Sequence, residues 1–195
     1  ALQSTTDFEA RTSGLPADDQ SGRLTLYESA HENHSSVERV AQMIGVGSDA
    51  IRLVPCDDDY RMDPEALASM LTEDIENGFN PFCVIAQVGS INVSTVDPLD
   101  DIADVCTENE VWMHADGACG AVGAILPEKE HLYEGLDRAD SVTLDAHKWL
   151  SVPYACGCVL FGNSETQARA FAMHADYLDF IDDEAYQGTN FGFLG

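Results

Sequence analysis

From Ile51 onward, short apolar runs alternate with amphipathic stretches that carry their own start and stop signals, and this alternation narrows the folds open to the chain more than any other feature. Apolar runs of about four to eight residues suit strands buried on both faces, and a helix between two such runs makes the strands parallel. The pattern predicts an α/β domain built on a mostly parallel sheet flanked by helices. Strands are expected at IRLVPC (51–56), FCVIAQV (82–88), VWMHAD (111–116), SVTLDA (141–146) and GCVLFG (157–162). Between the first two, DPEALASMLTEDIENG (63–78) predicts a helix, with Asp63 as N-cap, Pro64 in the first turn, Leu67, Met70 and Leu71 on one face, and Gly78 as the stop. DPLDDIADVCTEN (97–109) repeats the device, with Leu99, Ile102, Val105 and Cys106 at helical spacing. Upstream, HSSVERVAQMIGVG (34–47) predicts a helix opened by a capping box between Ser35 and Glu38, with His34 immediately before it. No repeat or linker interrupts this order, and both ends read as cut, so the expectation is one incomplete domain.

Charge excludes whole classes of partner. The 195 residues carry 35 Asp plus Glu against 9 Lys plus Arg, a formal charge of −26 with a pI near 4.1. Such a surface repels nucleic-acid phosphates and anionic lipid heads. The acids are spread through the sequence and not gathered in a tail, which predicts a charged globular surface. Self-repulsion of this size is screened at high salt, so the composition reads as that of a halophilic, haloarchaeal-type cytoplasmic protein. The first residues lack a signal-peptide pattern, and no run has the apolar length of a membrane span. Six cysteines stand mostly in apolar segments, which predicts buried reduced thiols; without a second close pair beside Cys156 and Cys158, no metal site is expected.

In parallel α/β sheets ligands gather at the carboxyl ends of strands. Three polar groups fall there: Ser90 after the 82–88 strand, Asp116 after 111–115, and His147 with Lys148 after 141–146. Lys148 is one of two lysines in the chain and stands between His147 and Trp149. In an apolar setting, desolvation disfavours a lysine's charged form, and the neutral amine attacks carbonyls. A lysine and an aspartate facing one pocket match the needs of pyridoxal 5′-phosphate: an amine for the aldehyde and a carboxylate for the pyridine nitrogen. His34 adds a ring able to stack on such a cofactor. Singly, each residue also has an ordinary use, as a surface lysine, a turn aspartate or a structural histidine.

HSSVERV (34–40), VGSINVSTVDPLDDIADVC (88–106), HADGACGA (114–121) and ADSVTLDAHKWLSVPYACGCVLF (139–161) occur in an order that resembles the group II pyridoxal-phosphate-dependent amino acid decarboxylases, the family of glutamate and aromatic amino acid decarboxylases. The similarity runs from about Tyr27 to about Tyr177. It implies a fold type I large domain, an amino acid substrate, loss of its carboxylate as carbon dioxide, and a homodimer in the full-length form. By the resemblance, Lys148 looks like the lysine of the internal aldimine and His147 like the histidine near the cofactor phosphate. Asp116 is similar to the aspartate at the pyridine nitrogen, Ala118 to the small residue against the ring, and His34 to the histidine stacked on its other face. Ser90 takes the place of a family threonine near the cofactor. The chain departs from the family at Asp145-Ala146, where Asn-Pro is common, and at Asp116-Gly117-Ala118, where Asp-Ala-Ala is common. The family's phosphate-binding segment and C-terminal small domain are not recognised, so residues 1–195 are expected to be part of the cofactor-binding large domain. The alternatives are another fold type I enzyme, such as a class V aminotransferase, cysteine desulfurase or lyase, and a non-catalytic acidic interaction domain.

Overall fold

The computed structural model describes residue 15 and residues 23–171. Their six strands form one sheet: β1 (Arg23–Ser29), β2 (Ile51–Val54), β3 (Phe79–Gln87), β4 (Trp112–Asp116), β5 (Ser141–Asp145) and β6 (Gly157–Phe161), in the order β2-β1-β3-β4-β5-β6. All neighbours run parallel except β5 and β6, which are antiparallel.

β1 was not expected from the apolar pattern, yet it sits between β2 and β3. Its polar residues break the hydrophobic run while staying inside: Thr25 and Ser29 are fully buried. A side-chain network satisfies part of this polarity. Tyr27 Oη lies 3.1 Å from Thr25 Oγ1 and donates to Asp74 at 2.6 Å, and Asp74 also pairs with Arg52 of β2 at 2.9 Å. Buried polar atoms are tolerated when hydrogen-bonded in this way.

Alternation sorts the sheet into two faces. Tyr27, Val84, Ala86, Val88, Met113 and Ala115 meet Leu67 and Leu71 of α2 (Pro64–Glu76) and Leu99 and Ile102 of α3 (Leu99–Glu108). On the other face Leu26, Cys83, Ile85 and Trp112 pack with Ala41 of α1 (Ser36–Met43). Short 3₁₀ turns, not an α-helix, carry the chain from β4 to β5 over 121–138, and α4 (Ser164–Phe171) follows β6. No described helix is long and apolar enough to cross a membrane.

The caps divide. α2 starts and stops as expected: Asp63 accepts from the amides of Glu65 and Ala66 at 2.9 and 3.2 Å, and Gly78 takes φ +79° just past the end. The capping box on α1 does not form. Ser35 is itself in helical conformation without a side-chain cap, Glu38 accepts from Gln42 at 3.2 Å, and the amide of Ser36 donates to Nδ1 of His34 at 3.2 Å. Nor does Asp97 cap α3. It is buried, its carboxylate accepts from the amides of Met62 (2.8 Å) and Gln87 (2.7 Å), and its own amide donates to the Gln87 carbonyl. One carboxylate thus pins the end of β3 to the chain ahead of α2. All six cysteines are free; Cys83 and Cys106 are buried as expected, whereas Cys158 is exposed.

Candidate active site

The carboxyl ends of β3, β4 and β5 open onto a cavity of about 200 Å³. Larger hollows of about 530 to 640 Å³ elsewhere on the molecule contain no lysine. The cavity is shaped by a backbone contact: Gly89 has φ +81°, and a Cβ on it would stand 2.5 Å from Cα of Gly120. Glycine on glycine brings the loop after β3 against the loop after β4. Ser90 on one loop and Ala118 and Cys119 on the other therefore share one wall. Gly117 is equally confined, since an added Cβ would run into the side chain of Ala121 and the Thr143 carbonyl, so Asp-Ala-Ala could not be accommodated here without movement.

Five of the six expected site residues line this cavity: His34, Ser90, Asp116, Ala118 and Lys148. His147 does not. Its Nδ1 lies 2.9 Å from the Cys156 carbonyl and accepts from the Cys156 amide at 3.1 Å, and its ring meets Tyr154 edge-on. It ties together the two ends of the loop that joins β5 to β6.

Lys148 lies in the turn that follows β5, with Nζ 3.1 Å from Asp145 Oδ2. Burial pulls its pKa down, but the hydrogen bonds and charges of Asp145 and Cys119 outweigh that pull and set it above the ordinary lysine value. The expected desolvated, neutral amine is therefore corrected to an ion-paired ammonium. Asp145, the residue that departs from Asn, causes the difference.

Asp116 ends β4, and its Oδ1 accepts from the amide of Ala118 at 3.2 Å. Beside it on the same face, His114 is held between Ser141 Oγ (2.8 Å) and Thr143 Oγ1 (2.9 Å), and burial lowers its pKa below the ordinary histidine value. Glu28 of β1 is buried; burial first, and the charges of Asp116 and Glu38 next, push its carboxyl up to about 7. Its Oε2 has no hydrogen-bond partner, and neither does Nε2 of Gln87, which lines the cavity.

Ser90 is buried and already occupied. Its Oγ accepts from the Thr95 amide at 3.2 Å, and the carboxylate of Glu32 accepts from the backbone and side-chain amides of Asn92 at 3.0 and 3.1 Å. Glu32, Gln87, Cys119 and Asp145 are lining residues that the motifs did not single out. Only Asp145 had a visible signal, three residues before Lys148 in a turn.

Residues 3–192 match the conserved domain of pyridoxal-dependent decarboxylases. The chain belongs to this family. An aromatic-L-amino-acid decarboxylase of Bacillus atrophaeus is 41% identical over 165 residues, which cover 84% of this chain and 34% of that protein. Tryptophan decarboxylase 2 of Oryza sativa subsp. japonica is 30% identical over 80% of this chain and 32% of its own length. Among solved structures, mouse CSAD in apo form superposes with a TM-score of 0.79 at 33% identity, covering 86% of this chain and 35% of that one. Oryza sativa TDC with PLP and tryptamine gives 0.76 at 30% identity, covering 87% and 35%. The fold is accordingly that of the fold type I pyridoxal-phosphate enzymes, and the chain spans about one third of the length of these relatives.

The lining residues fit the ring end of the family's cofactor: an amine, a carboxylate and an unfilled amide donor face one cavity whose backbone walls are too close for larger side chains. Lys148 is the sole Lys or Arg lining the cavity among the described residues, and it shares that lining with three acidic residues, Glu32, Asp116 and Asp145. The lining therefore matches an aldehyde-bearing heteroaromatic ring, not a phosphate dianion.

Proposed function

We propose that the full-length protein decarboxylates an L-amino acid with a neutral, aromatic side chain, and that this chain is the central part of its cofactor-binding domain. The observation that carries the reading is the convergence of Lys148 and Asp116, from the ends of neighbouring strands, on one cavity. The aromatic decarboxylases among the relatives support the substrate class.

Bound here, pyridoxal phosphate supplies an electron-withdrawing ring that stabilises the charge left when carbon dioxide departs. The chain's own residues do the rest. Lys148 would anchor the aldehyde through its amine, and Asp145, 3.1 Å away, would hold and orient that amine. Asp116 would hold a proton on the pyridine nitrogen, an electrostatic role. His34 stands exposed on the rim, where its ring can cover a bound ring and orient the substrate carboxylate. His147 positions the Lys148 turn through Cys156. The active form is a homodimer, a reading supported by the exposed Trp149, Leu150 and Tyr154 that follow Lys148.

The test is to incubate the full-length protein with pyridoxal phosphate in concentrated potassium chloride, reduce with borohydride, and map the modified residue by mass spectrometry. Label on Lys148 and not on Lys129, with carbon dioxide released from an aromatic and not an acidic amino acid, is the expected result. Equal label on both lysines, or keto acid in place of carbon dioxide, refutes it.

A further inference from the structure

Two hydrogen-bonding side chains stand at the wall formed by the end of β3, and one of them has an atom with no partner. Ser90 is already engaged, its Oγ accepting from the Thr95 amide at 3.2 Å. Gln87 is not: Nε2 is buried, 4% of the residue is exposed, and no atom of the protein accepts from it. A buried amide donor left unpaired is costly, so a partner supplied by a ligand recovers that cost on binding. Gln87 is also held rigidly. Its backbone amide donates to Asp97 at 2.7 Å and its carbonyl accepts from the Asp97 amide at 2.9 Å. It is the register partner of Asp116 across β3 and β4, so the two side chains project side by side from one face. A ring whose nitrogen is held by Asp116 therefore lies beside the Gln87 amide.

We propose that Gln87, and not Ser90, is the hydrogen-bond donor to the ring oxygen of the cofactor, the ionised hydroxyl that is the remaining acceptor on the ring itself once the nitrogen is protonated. The inference rests on the cofactor reading above and adds to it a binding residue. Gln87 acts by holding the ring in register over Asp116 and by stabilising the oxygen's negative charge.

The test compares the affinity of the full-length protein for pyridoxal phosphate with that for its 3-deoxy analogue, which lacks the ring hydroxyl, in the native protein, Gln87→Met and Ser90→Ala. The native protein is expected to prefer pyridoxal phosphate by about fivefold to tenfold, the weight of one hydrogen bond. Gln87→Met should lose that preference, with the affinity for the analogue unchanged, and Ser90→Ala should keep it. Equal affinity of the native protein for both compounds overturns the proposal with no variant needed. Retention of the preference by Gln87→Met, or its loss in Ser90→Ala, overturns it also. Failure of the native protein to bind either compound refutes the cofactor reading itself, a different outcome from any of these.

Discussion

Glu28→Gln should flatten the pH dependence of stability. Glu28 is 4% exposed, one of its oxygens has no partner, and burial, Asp116 and Glu38 together raise its carboxyl from 4.5 to about 7. A folded pKa above the unfolded one means that the native state holds its proton more tightly. The group therefore favours folding fully below about pH 4.5, and that contribution is lost as pH rises through about 7. A rise from 4.5 to about 7 corresponds to about 3 kcal/mol, the upper end of what one group can contribute. Glutamine has nearly the same shape and does not titrate. Urea unfolding of the native protein and Glu28→Gln in concentrated salt, at about pH 5 and about pH 8, isolates the contribution of Glu28, because every other carboxylate is common to both proteins. The native protein should lose about 2–3 kcal/mol more than the variant over that interval. Equal losses would refute the argument, showing that Glu28 is ionised and satisfied at both values.

Asp116→Ala should still allow cofactor to join Lys148 but reduce turnover by about a thousandfold or more, because a buried electrostatic contact made at the developing charge is lost; near-normal turnover would remove Asp116 from the role. Asp145→Asn takes away the partner that holds Lys148 above the ordinary lysine value, so the pH at which cofactor joins the lysine should move down; stopped-flow absorbance against pH reads the shift. Gly117→Ala sets a Cβ against Ala121 and the Thr143 carbonyl, and should destabilise the fold by about 1–3 kcal/mol in thermal or urea melts.

Legibility in the sequence followed the kind of signal. Where structure is local it could be read: Asp63, Pro64 and Gly78 delimit α2 because a cap, a first-turn proline and a left-handed glycine each act within a few residues. β1 could not be read, since Thr25 and Ser29 look like surface residues until Tyr27, Arg52 and Asp74 close around them from distant positions. Asp97 was misread for the same reason: its partners, Met62 and Gln87, lie 35 and 10 residues away, while its position before Pro98 imitates an N-cap. The site divides likewise. Residues at strand ends, Ser90, Asp116 and Lys148, were found because topology fixes where strand ends gather. The state of Lys148 is not legible because it is set by Asp145, nor is the unpaired amide of Gln87, because its burial is settled only by the packed sheet.

The Gly89 to Gly120 contact has a consequence for anyone altering this site. With the two loops touching through bare backbone, neither can be lengthened, thickened or transplanted from a relative unless its counterpart comes with it. The pair behaves as a single cassette, and libraries that diversify one loop alone are expected to yield mainly unfolded variants.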